Sequence, residues 1–363
     1  MVLDTVHAKA GSHLSSPFHP TYRVLGQDIT VDLPLPTLIL ATFGALVALR
    51  YLVSFLTLLA QLTVLPGRDI KSFKTRNGKT WAVVTGATGG IGLEFARQLA
   101  KKGYNIVVLG RRQEVLEEVS RELETKYKVE TRFLVVDFAS PSSRGEKFAE
   151  LGQMVQSLDL GVLVNNVGAS HEMPVAFAET EAEEIDNIVQ TNILGTLHLT
   201  RLLLPRLLSR SSKKGSPKSL VLNIGSMSGR IPSALLATYS LTKGGLQTWS
   251  QALAVEVEGQ GVMVRMVIPA FVVSNMSKIR RASLLVPSAP AFVSSTLGSI
   301  GQSRGAQGRA YECTPYPTHA LVDYGVGLLG WVSELGAMKV VKGMHVDIRK
   351  RALRKREREA KGK

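Results

Sequence analysis

The run WAVVTGATGGIG, Trp81 to Gly92, changes character halfway along. Its first five residues are apolar or β-branched, as a short buried strand requires. Gly86, Gly90 and Gly92 then follow in a TGxxxGxG spacing, and LEFARQLAKKG continues with helical periodicity. Strand, glycine turn and helix in that order make a βα unit. Glycine lets such a turn fold sharply and lets a phosphate approach the backbone, while the helix start offers free N–H groups to it. Thr85, Gly86, Gly90, Ile91 and Gly92 are therefore expected to cradle the pyrophosphate of a dinucleotide.

Downstream the alternation continues. Asn105 to Leu109 reads as a second strand and Gln113 to Tyr127 as an amphipathic helix; Thr131 to Val136 is a third strand ending at Asp137. Leu160 to Val164 is a fourth, running into Asn165, Asn166, Val167 and Gly168. Glu181 to Leu208 is one long helix, Leu220 to Ile224 a fifth strand and Met263 to Ile268 a sixth. Strands that alternate with helices predict an α/β fold, a Rossmann-type doubly wound parallel sheet over residues 79–319. Ligands bind at the carboxyl ends of such strands. At the end of the second strand an acidic residue would favour a free ribose diol. Gly110-Arg111-Arg112 stands there instead, so the cofactor is expected to be NADPH.

A second cluster begins where the fifth strand ends: SMSGRIPSALLATYSLTK, Ser226 to Lys243. Tyr239 and Lys243, four apart, share one helix face. An ammonium near a phenol favours the phenolate, so Lys243 is expected to lower the Tyr239 pKa, and Tyr239 to exchange a proton with a carbonyl oxygen. Ser226 is placed to hydrogen-bond the same oxygen. No metal-ligand spacing and no internal repeat is present.

Composition bounds the rest. The 363 residues are 45% hydrophobic and 20% charged, which are globular values, and Cys313 is the lone cysteine, read as structural. Much of the net charge of +15 lies in a C-terminal tail, where Arg349 to Lys363 holds nine basic residues against Glu357 and Glu359. The basic residues lack the aromatic interleaving of a nucleic-acid surface. Residues 1–35 are polar and mixed. Thr37 to Leu65 is a mostly apolar run with Arg50 as its only charge, long enough for a membrane anchor over 36–65. Arg68, Lys71, Lys74, Arg76 and Lys79 beyond it place the body of the chain in the cytosol. Residues 66–78 are expected to be a linker, 276–313 a lid, and 320–341 a second membrane contact or a docked terminal helix, with Trp331 and the basic tail beyond it favouring membrane contact.

Thr85-Gly86-Ala87-x-x-Gly90-x-Gly92, Asn165-Asn166-Val167-Gly168, Ser226 and Tyr239-x-x-x-Lys243, in that order and spacing, resemble the short-chain dehydrogenase/reductase family over about residues 79–275. Val167 and Ala270 depart from the family's commoner alanine and glycine. NNVGASHEMPVAFAET (Asn165–Thr180), IPAFVVSNMSKIRRASLLVPSAPAFV (Ile268–Val293) and TPYPTHAL (Thr314–Leu321) resemble one branch, the membrane-bound 3-oxoacyl-CoA reductases of very-long-chain fatty acid elongation. The resemblance implies Tyr239 as proton donor, Ser226 as its partner on the substrate, Lys243 on the nicotinamide ribose and Asn192 in a proton relay. It also implies cofactor contacts at Asp137 (adenine), Asn165 (adenosine ribose), Asn166, Gly168, Pro269, Val272 and Ser274 (carboxamide). The implied setting is the endoplasmic reticulum membrane, beside a condensing enzyme, a 3-hydroxyacyl-CoA dehydratase and an enoyl-CoA reductase. A related 17β-hydroxysteroid dehydrogenase, or a catalytically silent scaffold of the elongation enzymes, are the alternatives.

Overall fold

The computed structural model describes residues 17–18, 21–24, 27–30, 33–75, 79–212, 215 and 217–362, with side chains from Leu35 onward except that of Trp331. The expected membrane contact of the Trp331 ring and the end of the expected linker, 76–78, lie outside the described residues. The chain divides into a unit up to Leu59 and a second from Ala60 onward.

In the first unit, Thr21–Val24 pairs antiparallel with Gln27–Thr30, and Pro17–Phe18 with Leu33–Pro34. The polar composition of this segment gave no sign of either ladder. Helix α1, Leu35–Thr63, follows with mean hydropathy 2.0 over its most apolar window. Phe43, Leu46, Leu49 and Leu52 are exposed along it, which suits a helix that meets lipid rather than a protein interior.

The second unit is built on seven parallel strands: β1 (Thr80–Thr85), β2 (Asn105–Gly110), β3 (Thr131–Val135), β4 (Asp159–Asn165), β5 (Ser219–Ile224), β6 (Val262–Val267) and β7 (Glu312–Cys313). Their order is β7-β6-β5-β4-β1-β2-β3. The chain winds outward from β1 to β3, returns to β4 on the other side of β1, and winds outward again. The crevice of a doubly wound sheet opens at that reversal.

Both sheet faces are covered, and alternate strand residues serve the two cores. Ala82 and Val84 of β1, with Ile106 and Val108 of β2, face α2 (Gly90–Lys101), α3 (Gln113–Tyr127) and α9 (Ala289–Leu297). Trp81, Val83, Val107 and Leu109 face α4 (Pro141–Met154), α6 (Gly195–Ser211) and α8 (Ala237–Glu256). Burial on both sides is why these strands read as unbroken apolar runs.

Four expectations change. The long helix over 181–208 is three pieces: α5 (Ala182–Val189), a π-turn over Gln190–Leu194, and α6. Residues 66–75 are not a free linker. Gly67 N and Arg68 N donate to the carbonyls of Gly298 and Ile300, and Ile70 and Phe73 are buried in the α2/α9 core. Of the expected lid, only the part before Ala289 is a flap. Phe292 and Val293 are fully buried, and β7 closes the sheet with a pair of residues too short to show a pattern. The terminal segment is helical from Pro317 to Ala360 (α10), with a break at Ser333, whose φ and ψ are −160° and 95°.

Candidate active site

The glycine turn is built as its spacing requires. Gly86 and Gly90 take φ of +63° and +56°, where a side chain would be strained. A Cβ on Gly92 would lie 2.3 Å from Gly86 O, so α2 can pack this close to the turn only with glycine there. No side chain caps α2, which leaves its first N–H groups open to an anion. Ile91 packs inward on the core.

Thr85 and Asn166 hold this turn rather than line it. Buried Thr85 Oγ1 donates to Val164 O at 3.2 Å and accepts from the backbone N–H groups of Asn166 (2.8 Å) and Val167 (2.9 Å). Asn166 Nδ2 donates to Thr85 O at 2.9 Å. Asn165 is turned into the sheet. Its Nδ2 donates to Thr200 Oγ1 (2.9 Å) and Asn223 Oδ1 (2.8 Å), so both amide hydrogens are spent inside the sheet, and only its unpartnered Oδ1 remains to accept a bond.

At the end of β2, Arg111 and Arg112 are exposed, and Arg112 Nη2 donates to Thr88 O at 3.1 Å. That bond keeps a guanidinium beside the glycine turn. Asp137 Oδ1 accepts from Ala139 N at 3.0 Å, a turn-forming bond that leaves Oδ2 free for a base edge. Sequence reasoning overlooked Arg144, which is buried and donates to Phe138 O (2.6 Å) and Gln190 Oε1 (2.8 Å). It ties the Asp137 turn to the π-turn.

The π-turn carries Asn192, which is 0% exposed. Its Oδ1 accepts from Ala169 N (2.7 Å), and its Nδ2 donates to Ala169 O (2.9 Å) and Thr242 Oγ1 (2.9 Å). Thr242 Oγ1 in turn donates to Tyr239 O at 2.8 Å. Single π-turns widen a helix by one residue and recur at functional sites. Here the carboxamide donors are fully used, so Asn192 positions the Gly168–Ala169 backbone against α8 rather than passing protons through its amide. Gly168 lies beside it: a Cβ there would be 3.4 Å from Asn192 Oδ1 and 3.6 Å from Lys243 Nζ.

Ser226, Tyr239 and Lys243 come together as expected. Ser226 lies just past the end of β5 and caps the short α7 (Met227–Arg230), accepting from Ser228 N at 3.1 Å. Its side chain is also hydrogen-bonded to Tyr239. The Lys243 ammonium lies 5.7 Å from the Tyr239 ring centroid and donates to Ile224 O at 2.9 Å.

The electrostatics differ from the expectation. Burial pushes the Tyr239 phenol above its ordinary value, with the Ser226 bond acting against it. Burial also lowers the Lys243 ammonium to about 8. Lys243 approaches the ring face and spends a hydrogen on Ile224 O, so desolvation rather than its charge governs the phenol.

The other wall is the flap over 271–288. Pro269 O accepts from Met227 N at 2.9 Å, and Val272 is buried. Ser274 stands across from the glycine turn, its Cβ 3.4 Å from where a Cβ on Gly90 would lie; Met276 approaches Gly168. Ser277 Oγ donates to Val272 O at 2.7 Å, which fixes the flap's first bend. His319 of α10 pins both ends. Its Nδ1 accepts from Ala270 N at 3.3 Å and its Nε2 donates to Leu285 O at 3.1 Å. Burial keeps this imidazole below its usual pKa, which suits the neutral form those two bonds require. The motif TPYPTHAL thus acquires a role that its sequence did not disclose.

The open glycine backbone, the uncapped α2 and the free Asp137 Oδ2 fit a nicotinamide dinucleotide along one wall, with Ser226 and Tyr239 at its reactive end. Comparisons with known proteins agree. Residues 80–284 match the short chain dehydrogenase family. A very-long-chain 3-oxoacyl-CoA reductase of Coprinopsis cinerea is 45% identical over 330 residues, 90% of this chain and 94% of that protein. One of Scheffersomyces stipitis is 44% identical over 309 residues, 85% of this chain and 88% of that protein. Among solved structures, a 7β-hydroxysteroid dehydrogenase superposes with TM-score 0.61 at 19% identity, over 76% of this chain and 99% of that one. A short-chain dehydrogenase from Sphingobium yanoikuyae in complex with NADPH gives 0.56 at 22% identity, over 71% and 95%. Those two speak for the fold alone. With its glycine turn, its serine, tyrosine and lysine, and its match to the family over most of the sheet, the chain belongs to the short-chain dehydrogenase family and is an oxidoreductase.

Proposed function

We propose that the protein reduces very-long-chain 3-oxoacyl-CoA to 3-hydroxyacyl-CoA with NADPH, the second step of a fatty acid elongation cycle. The observation that carries this reading is the identity of 44–45% to fungal proteins of that name over 85–90% of the chain, with the full Ser226–Tyr239–Lys243 set in place.

Bound NADPH would supply the hydride for the 3-keto carbon. The residues do the rest. Tyr239, kept protonated near neutral pH by its burial, gives its phenolic proton to the carbonyl oxygen. Ser226 Oγ accepts from Ser228 N, which fixes its position, and its hydroxyl hydrogen, shared with Tyr239 in the resting site, can turn to that oxygen as negative charge builds. Lys243, charged below about pH 8, adds positive potential at the same end. Arg111 and Arg112 favour a 2′-phosphate over a bare ribose.

Helix α1 would hold the enzyme in the endoplasmic reticulum membrane with the second unit in the cytosol, where a condensing enzyme delivers its substrate and a dehydratase and an enoyl-CoA reductase follow. A substrate chain of twenty or more carbons partitions into lipid at about 0.8 kcal/mol per CH₂, so an anchored reductase meets it where it lies. The test is NADPH oxidation by the full chain in phospholipid vesicles, with a 3-oxoacyl-CoA of twenty carbons and a 17-keto-steroid offered in competition. Preference for the acyl-CoA supports the reading. Preference for the steroid, or no turnover of either, overturns it.

A further inference from the structure

Residues 61–68, at the start of the second unit, are sewn to one of its edges. Gln61 Oε1 accepts from Arg304 N at 2.7 Å, and Gln302 Nε2 donates to Leu65 O at 2.7 Å. Gly67 and Arg68 bond to Gly298 and Ile300. The same loop packs on α10: a Cβ on Gly305 would lie 2.4 Å from Ala320 Cα, and Arg304 Nη1 donates to Pro315 O at 2.6 Å. If Leu35–Thr63 spans a bilayer, the loop over 298–307 sits at its surface, and the first half of α10 beside it.

That half has two faces. Ala320 and Asp323 are fully buried against the domain. Leu321, Leu328, Leu329 and Val332, spaced to share a stripe, point outward, with Leu329 62% and Val332 79% exposed. Between Asp323 and Lys339 the only charge is Glu334. The flap extends the patch: Leu284 is 78% exposed, and Leu284 O and Leu285 O accept from Thr318 Oγ1 (2.8 Å) and His319 Nε2. Apolar patches of this extent on a folded surface mark a partner. Beyond the break at Ser333 the helix turns basic. It docks on the opposite rim of the cleft through His345 Nδ1 to Ala234 O (3.0 Å), Arg349 to Pro174 O (2.9 Å) and Arg356 to Glu172 (2.6 Å).

We propose that the first half of α10, together with Leu284 and Leu285, is a second membrane-contact surface that holds the mouth of the cleft against the bilayer. Lipid is the occupant because the surface adjoins residues 61–68, the stretch that follows the chain's own apolar run. The basic run that follows is complementary to anionic headgroups. The flap joins this surface to the cleft, from Ser274 and Met276 at the site to Leu284 and Leu285 at α10, so an acyl chain could pass between lipid and site along it. This last step rests on the substrate reading above; the membrane contact rests only on the reading of α1 as a span.

The test uses the full chain in phosphatidylcholine–phosphatidylserine vesicles, with single cysteines at Leu284→Cys, Leu329→Cys or Val332→Cys, and Glu118→Cys on α3 as reference. Each carries an environment-sensitive fluorophore; Cys313 is buried and stays unlabelled. Lipids brominated on their acyl chains should quench the first three labels at least threefold more than the fourth. Equal quenching at all four positions overturns the proposal, as does shielding at 284, 329 and 332 that needs other microsomal proteins rather than lipid. The variant Leu329→Glu/Val332→Glu provides a second readout. Turnover of a twenty-carbon 3-oxoacyl-CoA in vesicles should fall about tenfold while that of 3-oxobutanoyl-CoA is unchanged. If no 3-oxoacyl-CoA is turned over by the parent chain, the substrate reading fails, and the quenching pattern still decides the membrane contact.

Discussion

Asn192 grips Ala169 by both backbone atoms, accepting from its N–H at 2.7 Å and donating to its carbonyl at 2.9 Å. A carboxamide that brackets one residue in this way fixes a strand end as a ladder bond would. The third bond, to Thr242, carries that order into the helix holding Tyr239 and Lys243. Asn192→Ala would strand three buried polar groups at roughly 1–3 kcal/mol each, less what relaxation recovers. We expect it to lower stability by about 3 kcal/mol and Tm by roughly 8 °C, with kcat reduced more than KM. Thermal unfolding and steady-state kinetics on one preparation would check both. A variant as active and as stable as the parent would remove Asn192 from the site's framework.

The proton donor has a direct test. Tyr239→Phe keeps the ring over which Lys243 lies but removes the acid, so kcat should fall by at least about 10²-fold, with NADPH affinity unchanged in a fluorescence titration. Ser226→Ala removes one donor to the developing oxyanion and should cost about 10²-fold in kcat. Near-normal turnover in the tyrosine variant would refute the role given to Tyr239.

Lys243 predicts the pH behaviour. Its folded pKa of about 8 lies below the ordinary lysine value of 10.5, so between the two the unfolded chain binds the extra proton. Stability conferred by position 243 therefore rises as pH goes from 8 to 10.5, and below 8 burying the ammonium carries its full penalty. Relative to Lys243→Met, the parent should gain about 3 kcal/mol across that window, as read by denaturant unfolding at pH 7 and pH 10.5. Reduction should decline as pH rises through about 8, because the site loses its positive charge. A parent–variant difference that is flat with pH would contradict the burial argument.

What the sequence disclosed follows from where each pattern came from. Strands buried on both faces show as apolar runs, so β1 to β6 were legible with ends off by a residue or so. The glycine turn was legible because Gly86's positive φ favours glycine and Gly92's approach to Gly86 O leaves no room for a side chain. β7 was hidden because its two residues include Glu312, a buried carboxylate that Arg309 and Gln251 satisfy from other elements. The π-turn was hidden because QTNIL differs from ordinary helix only in its hydrogen-bond register. Asn165 was half legible for a related reason: its neighbours form a cofactor motif, while its amide hydrogens go to Thr200 and Asn223, far apart in sequence. The Tyr239 pKa was misjudged because spacing shows a charge nearby but not how little water surrounds it.

Cofactor choice rests on the two arginines after β2. Arg111→Ala/Arg112→Ala would remove the positive charge placed for a 2′-phosphate, while the glycine turn, which Asn166 holds, stays intact. Charge-assisted hydrogen bonds contribute about 1.5–3 kcal/mol each. The KM for NADPH should rise by about 10- to 100-fold and that for NADH stay level. An NADPH preference that survives the double substitution would assign discrimination elsewhere.

His319 offers the sharpest test of the flap. Its imidazole joins Ala270 to Leu285 only as the Nε2–H tautomer, with Nδ1 accepting. Its pKa is lowered by burial, so on acidification the unfolded chain takes up a proton near pH 6.5 that the folded chain declines. Stability from this group is thus present above pH 6.5 and lost as pH falls below it. Protonation would also set a second donor against the Ala270 N–H and release the flap. In the parent, KM for the ketone substrate should rise several-fold between pH 7 and pH 5.5. His319→Asn has an amide that can accept from Ala270 but reaches less far toward Leu285; it should show a raised KM at both pH values and little further change between them. Hydrogen exchange over residues 271–288 would report the same opening directly, faster at pH 5.5 than intrinsic rates require in the parent and already fast at pH 7 in the variant. If the flap's protection is the same in both proteins, His319 is packing and not a clasp.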